Sequence, residues 1–287
     1  MRLCLSALLA GLFLMSVPAA SAQRSVLLDV CNETGFRVAT AAAYQTRPDG
    51  PATLRTWFLI EPGACLEGAL NGVTGGSVDL HVMSGEWHWP TRIVDQTWCV
   101  GASGGTTTAS SEPCGAGQQA RNFRTTPIEL LSQRDGSGRA VGRVSWRVRC
   151  SDLSAEDAAL CVSAPVNAQG MAQPVRTLET CSTGRRPIDV AVLEPDGTGA
   201  NTLASVQRIA PGTCQDVFRG FPAAGSLLVA VAGPWHTGMD GEVCLPADRF
   251  GDARHPQGDC GPGEVSAGYQ IVRFPEHTAR YSTYFNR

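Results

Sequence analysis

Short runs in which apolar or β-branched residues alternate with polar ones are spread along the chain, and Gly, Pro, Asp and Asn interrupt them at close intervals. An alternation with a period of two is typical of strands that bury one face, and the interrupting residues favour turns. Gly and Pro account for 32 and 18 of the 287 residues, which suits many turns and suits long helices poorly. The clearest predicted strands are Val26–Val30, Val78–Met83, Ala140–Val148, Ile188–Leu193, Leu227–Val231 and Gly268–Phe274. The pattern therefore predicts an all-β fold.

Four shorter segments depart from the strand pattern. Pro48–Gly50 and Pro195–Gly197 both read Pro-Asp-Gly, and each is predicted to be a hairpin tip because Pro presets one backbone angle and Gly accepts a positive φ. Gly101–Ser111 is rich in Gly, Ser and Thr without apolar periodicity, which predicts a mobile loop. Ser154–Leu160 is the one stretch that favours a short helix.

The first 22 residues have the features of a secretory signal peptide. Arg2 supplies a positive start, an uncharged apolar run follows from Leu5 to Val17, and a small-residue pattern ends at Ala22. The run is shorter than the roughly 20 residues that span a bilayer, and no later stretch is long and apolar enough. We expect cleavage after Ala22 and a periplasmic or secreted bacterial protein without a transmembrane segment.

Cysteine content agrees with export into an oxidising compartment. One of the 11 cysteines, Cys4, lies in the signal segment, and the other ten are an even number at spacings that do not suit a zinc site. Four cysteines permit three connectivities, so spacing alone does not choose among them. The simplest prediction pairs neighbours along the chain: Cys31 with Cys65, Cys99 with Cys114, Cys150 with Cys161, Cys181 with Cys214, and Cys244 with Cys260.

Cysteine spacing also indicates an internal repeat, and other residues recur in step with it. The matching segments are Pro48–Gly50 with Pro195–Gly197, Pro62–Cys65 with Pro211–Cys214, Gly85–His88 with Gly233–His236, and Cys114–Gly117 with Cys260–Gly263. The predicted organisation is a signal peptide (1–22), a first β repeat (23–135), a linking strand and short helix (136–175), and a second β repeat (176–287). Each repeat is expected to be an antiparallel β-sandwich or a barrel-like unit held by disulfides.

One set of residues forms a pattern known from other proteins: Cys31-Asn32-x-Thr34, Trp57 ahead of Pro62-Gly63-x-Cys65, and the later Cys99 and Cys114. On these residues both repeats, the first more clearly, resemble a known bacterial family, the exported proteins called domain of unknown function ten-thirty-six. The resemblance implies no catalytic residue and no cofactor. The second repeat departs from the pattern, because Ser182 stands in place of Asn32 and Val206 in place of Trp57.

A Trp-His pair recurs in both repeats and is the best candidate for a ligand-binding site. Trp87 with His88, and Trp235 with His236, each follow a predicted strand. A Trp could stack on a ligand while the adjacent imidazole forms a hydrogen bond to it. The competing interpretation, which we favour, places each Trp in a core and each His towards solvent, because a duplicated core would also duplicate its Trp.

Composition bears on function mainly by what it makes unexpected. A formal net charge of −3 does not favour nucleic acid as a partner. The cysteines are better explained as disulfides than as nucleophiles. We therefore expect a non-enzymatic binding or cell-envelope-associated module of unknown ligand, without a metal or a cofactor. The alternative is a periplasmic hydrolase-like enzyme with a site between the repeats.

Overall fold

The computed structural model of the chain describes residues 23–91, 94–195, 201–222, 225–231, 239–248, 260–275 and 278–286. Within these residues the regular secondary structure consists of strands, apart from a single turn of 3-10 helix (Cys150–Asp152) and one short helix, α1 (Ala155–Val162). The predicted all-β, disulfide-bonded fold with one short helix is confirmed. None of the described helices is long and apolar enough to cross a membrane.

The strands of the first half and of the second half are as follows. The first half contains β1 (Arg24–Asn32), β2 (Val38–Tyr44), β3 (Thr53–Ile60), β4 (Cys65–Val73), β5 (Ser77–Ser84), β6 (Trp87–Trp89), β7 (Gln96–Gly101), β8 (Gly105–Thr108), β9 (Gln118–Pro127), β10 (Glu129–Arg134) and β11 (Ala140–Val148). The second half contains β12 (Arg176–Ser182), β13 (Ile188–Pro195), β14 (Asn201–Ile209), β15 (Cys214–Gly220), β16 (Ser226–Val231), β17 (Gly241–Pro246), β18 (Glu264–Arg273) and β19 (Arg280–Phe285).

Two sheets pack face to face in the first half. The smaller has the strand order β10-β11-β1-β4, and the larger has the order β7-β9-β5-β2-β3-β8 with β6 added to β5. Successive side chains of a strand point to opposite faces, so alternate apolar residues of β1 and β5 meet between the sheets. The largest fully buried side chains of this core include Trp89, Phe36, Leu70 and Leu80.

The larger sheet also rolls up on its other face. Strands β7 and β8 follow one another in the chain but lie at opposite edges of the sheet. The Cys99 amide nevertheless donates to the Ser110 carbonyl oxygen at 2.8 Å, which brings these edges together. Inside the roll lies a second buried cluster: Ala41, Ala43, Leu54, Val100, Ala109 and Phe123. We call this element the rolled sheet.

The second half has sheets with corresponding strand orders. Strand β12 lies between β15 and β19, as β1 lies between β4 and β11, and the pairs β1–β11 and β12–β19 are both parallel. The other pairings between the described strands are antiparallel. The order β14-β13-β16-β18-β17 corresponds to β3-β2-β5-β9-β7 of the rolled sheet. Each sandwich therefore contains one parallel strand pair within otherwise antiparallel sheets.

Five disulfides connect neighbouring cysteines along the chain, which is the simplest of the pairings that the spacing allowed. They are Cys31–Cys65, Cys99–Cys114, Cys150–Cys161, Cys181–Cys214 and Cys244–Cys260. The first joins directly opposed residues of β1 and β4, and the fourth joins directly opposed residues of β12 and β15. Both tie a sheet edge strand to its neighbour.

Most predicted elements lie where the pattern placed them, with one correction. All six predicted strands form, although β18 ends at Arg273. The segment 101–111 was expected to be a loop, but it contains β8, which pairs with β3. Its side chains are exposed, so its strand conformation comes from backbone pairing with a distant segment and leaves no apolar pattern. Pro195 ends β13, and the rest of the second Pro-Asp-Gly turn lies outside the described residues, as does the signal segment.

The connecting segment from Cys150 to Val175 packs against the first sandwich. Ser154 caps α1, since its hydroxyl oxygen accepts the Asp157 amide hydrogen, as expected of Ser at a helix start. Ala172 and Val175 belong to the first core. The Ala172 amide donates to the Ser84 hydroxyl at 2.9 Å, and the Val175 amide donates to the Glu86 carboxylate. This contact covers one end of β5 and β6.

Candidate functional site

Trp87 and His88, the first Trp-His pair, are neighbours in β6, so their side chains point to opposite faces of the sheet. Trp87 is 4% exposed and lies in the core between the sheets together with Trp89, whose Nε1–H donates to the Arg149 carbonyl oxygen. His88 lies between them in sequence, so it points to the opposite face, into the rolled sheet. One ligand cannot contact both side chains of the pair in the way that the sequence suggested. His88 does not face open solvent either.

The second Trp-His pair, Trp235 and His236, lies outside the described residues. On the corresponding face of the second five-stranded sheet, Ala191 lies opposite Ala230 and Leu193 lies opposite Leu228, and all four belong to a described hydrophobic cluster. The rolled sheet of the first half differs, because polar side chains enter its interior. We therefore place the candidate site there.

The interior of the rolled sheet has small residues on its central strand and larger polar residues on the next strand. Ala39, Ala41 and Ala43 of β2 are all buried, and they leave space for neighbouring side chains. Across the strand pair, Ala41 lies opposite His81 and Ala43 lies opposite Asp79. The alternation along β5 thus sends Val78, Leu80 and Val82 into the core and Asp79 and His81 into the roll.

His81 is the most deeply buried polar group of the roll, with 1% of its surface exposed. Its Nδ1 lies 2.9 Å from the Asn122 carbonyl oxygen, which can only accept, so Nδ1 carries the proton. Its Nε2 is buried without a hydrogen-bond partner among the described residues. Burial lowers the pKa of His81 to about 3, so the ring is neutral at physiological pH. The rings of Trp57, Phe123 and His88 surround it, with centroids 6.1, 5.4 and 5.5 Å away.

His88 and Arg121 form a polar pair at one mouth of the roll. The Arg121 guanidinium donates from Nη1 to His88 Nε2 at 3.3 Å, so the proton of the neutral imidazole is on Nδ1. Burial, and secondly the Arg121 charge, lower the pKa of His88 to about 4. The other Arg121 contact is a hydrogen bond from Nη2 to Gln119 Oε1. Burial also lowers the pKa of Arg121.

This mouth opens into a cavity of about 440 Å³, which we call the Trp57 pocket. Its described lining consists of Ala39, Trp57, Leu59, Met83, Val100, Gly101, Ala102, Gly117, Gln119, Arg121 and Met171. Trp57 is held in place because its Nε1–H donates to the Gly101 carbonyl oxygen at 3.1 Å. Leu59 is 57% exposed although it is a large apolar side chain. The pocket is therefore apolar, with Arg121 as its charged group.

The opposite mouth of the roll is polar. Asp79 accepts hydrogen bonds from Trp98 Nε1 at 3.0 Å and from the Thr125 hydroxyl at 2.6 Å. These three residues line a cavity of about 680 Å³. The Asp79 carboxylate is already engaged by two donors, and the lining of this mouth is more polar than that of the Trp57 pocket.

A third cavity, of about 510 Å³, lies outside the rolled sheet beside Trp89, Trp146 and Arg124. Both Trp side chains belong to the first core, and the Arg124 guanidinium already lies over the Trp146 ring at 5.9 Å. Since the rings are committed to packing, we give this cavity less weight as a ligand site.

The described Cys and carboxylate clusters do not suit a metal. The three groups with donor atoms close enough to share an ion each include both sulfurs of a disulfide, at Cys31–Cys65, Cys181–Cys214 and Cys244–Cys260. Metal binding by Cys needs a thiolate, which a disulfide sulfur does not provide. These groups are explained by the disulfide framework.

Sequence reasoning found part of the site. Trp57 was singled out as a position where the repeats differ, and His88 as a member of the Trp-His pair. Arg121 and Met83 were missed, although each lies on a strand two residues from an interior residue, Phe123 and His81 respectively. Residues two apart in a strand share a face, so this spacing could have identified both side chains as interior. Met171 comes from the connecting segment, and only the tertiary structure brings it to the pocket.

Comparison with known proteins does not assign the chain to a family. No protein-family model matches it, and no curated protein matches it. The functional interpretation therefore depends on the geometry of the rolled sheet.

Proposed function

We propose that this protein is an exported, non-enzymatic binding module whose Trp57 pocket takes a small, largely apolar molecule. The observation that carries the proposal is an open apolar pocket with one half-buried cation at its edge. Binding pockets for small molecules are mostly apolar, measure about 300–1,000 Å³ and contain a few polar groups that orient the ligand. The Trp57 pocket has each of these properties.

The chemistry of His81 and His88, the two histidines that the structure describes, favours binding over the alternative, a hydrolase-like enzyme. A general base works best with a pKa near the operating pH, whereas those of His81 and His88 are lowered to about 3 and about 4. In the described residues, His81 contacts a carbonyl oxygen and His88 contacts a guanidinium, so neither is hydrogen-bonded to a hydroxyl nucleophile.

Export from the cytoplasm, to the periplasm or beyond, is part of the same proposal. The five disulfides support an oxidising compartment, and the apolar N-terminal segment supports a signal peptide. The corresponding strand orders of the two halves support a duplication. Membership of the family called domain of unknown function ten-thirty-six, and association with the cell envelope, are also proposals.

A neutral fluorescent probe tests the pocket directly. N-phenyl-1-naphthylamine, whose emission rises in an apolar environment, should bind the mature chain with a saturable increase in fluorescence. Leu59→Asp should lower this affinity by about tenfold or more, because it places a carboxylate in the apolar lining.

Leu130→Asp is the matched control, since Leu130 is 62% exposed on β10 and does not line the pocket. It should leave binding of the probe unchanged. If the mature chain does not bind the probe, or if both variants bind it as the parent does, the Trp57 pocket is not a binding site.

A further inference from the structure

We propose that the ligand of the Trp57 pocket is an organic monoanion, with an apolar or aromatic body and one carboxylate group that pairs with Arg121. This inference rests on the proposed function and adds the chemical class of the ligand. It follows from the charge, the hydrogen bonding and the shape of the described lining.

The environment of the Arg121 side chain indicates the charge of the ligand. The side chain is half-buried, and its described hydrogen-bond partners are the uncharged groups His88 Nε2 and Gln119 Oε1. No carboxylate among the described residues forms an ion pair with it. By contrast, Arg219 pairs with both Glu156 and Asp157. A cation that has lost part of its hydration without gaining a counter-charge favours an anionic ligand.

The number of charged residues in the pocket lining indicates how many charges the ligand carries. Arg121 is the one charged residue in the described lining of the pocket. A single positive charge is matched by a ligand with a single negative charge, whereas a phosphate dianion would keep an uncompensated charge in an apolar site. A planar carboxylate also fits the planar fork of a guanidinium, which can donate two parallel hydrogen bonds to it.

The hydrogen bonds of the Arg121 guanidinium leave some of its donors for the ligand. A guanidinium carries five N–H donors, and the hydrogen bonds to His88 and Gln119 use only part of them. His88 and Gln119 hold it from the protein side, which leaves the remaining donors for the ligand. Because His88 acts through Arg121, it is a positioning residue. Its low pKa keeps it a neutral acceptor at physiological pH, so it supports the cation without repelling it.

The apolar side chains of the lining indicate the kind of body that the ligand has. Trp57 presents a ring that is fixed by its hydrogen bond to Gly101, and Met83 and Met171 provide adaptable thioether surfaces near it. Leu59 completes an exposed apolar rim. An aromatic or short aliphatic body can therefore be covered while the carboxylate remains at Arg121.

The experiment compares a carboxylate with its neutral isostere. Isothermal titration of the mature chain at pH 7 would use 3-phenylpropanoate and 3-phenylpropanamide, which differ in charge but hardly in shape. We expect the carboxylate to bind at least about tenfold more tightly, since charge-assisted hydrogen bonds contribute more than neutral ones. Arg121→Gln should remove this preference.

Two controls separate the possible outcomes. Arg124→Gln changes another arginine of β9, outside the pocket lining, and should keep the preference for the carboxylate. Binding of N-phenyl-1-naphthylamine by Arg121→Gln would show that its pocket is intact. Equal affinity for the two isosteres, failure of both to bind, or a preference that survives Arg121→Gln overturns the inference. If the neutral probe still binds in those cases, the proposed binding function stands.

Discussion

Burial of His81 predicts that acid destabilises this protein in a specific pH range. In the unfolded chain His81 has the ordinary histidine pKa of 6.5, whereas burial in the folded protein lowers its pKa to about 3. Between these values the unfolded state binds more protons than the folded state. The free energy of unfolding should therefore be unaffected by His81 above pH 6.5 and should fall as the pH decreases towards 3.

The size of this effect follows from the two pKa values. One pKa unit corresponds to about 1.4 kcal/mol, and at pH 5 the unfolded imidazole is protonated while the folded one is not. The expected contribution of His81 to the loss of stability between pH 7 and pH 5 is about 2 kcal/mol. The lowered pKa of His88 acts in the same direction.

Urea unfolding at pH 7 and pH 5 would measure this loss in the mature protein and in His81→Gln. Glutamine does not titrate and keeps an N–H donor for the Asn122 carbonyl oxygen, so the variant reports the pH dependence of all other groups. The parent should lose about 2 kcal/mol more than the variant over this range. Equal losses in the two proteins would refute the reasoning, because His81 would then titrate as an exposed histidine does.

Two further substitutions test how the first sandwich is held together, each by urea unfolding against a matched control. Asn32→Ala should lower the free energy of unfolding by about 3 kcal/mol, because the buried amide nitrogen of Asn32 donates to two carbonyl oxygens and its amide oxygen accepts two hydrogen bonds. Asn71→Ala, at an exposed position, should change it by less than about 0.5 kcal/mol. Similar losses for the two would contradict this role for Asn32. Gly85→Ala should destabilise more than Gly138→Ala by about 1–3 kcal/mol: both have a positive φ, but only at Gly85 would a Cβ meet a backbone oxygen, at 2.6 Å. A cost no larger than that of Gly138→Ala would show that the connecting segment moves aside freely.

The fold was predictable to the extent that the signals were local. Alternation marked strands such as β5 and β11, and Ser154 marked the start of α1. Strand β8 escaped because it is held by backbone hydrogen bonds to β3 and has no buried side chain. The parallel pairs β1–β11 and β12–β19 escaped for a related reason, since strand direction across a long connection leaves no local pattern.

The candidate site was predictable only in part. The Trp-His pair was visible, but strand alternation sends Trp87 into the core and His88 into the roll. Trp57 was visible as a difference between the repeats. Its connection with Arg121 and Met171 was not, because β3, β9 and the connecting segment are distant in sequence and meet only when the sheet rolls up.

By itself, the sequence indicated six of the strand positions, the turn-rich all-β class and the simplest cysteine pairing. Those properties depend on the period of apolar residues, on backbone preferences and on cysteine spacing, which are readable along the chain. Only the tertiary structure decided which face of each strand is buried in a core and which encloses a pocket. The same alternation serves both faces of β5, so it could not reveal that one of them carries a neutral His81 near Arg121, which forms no ion pair among the described residues.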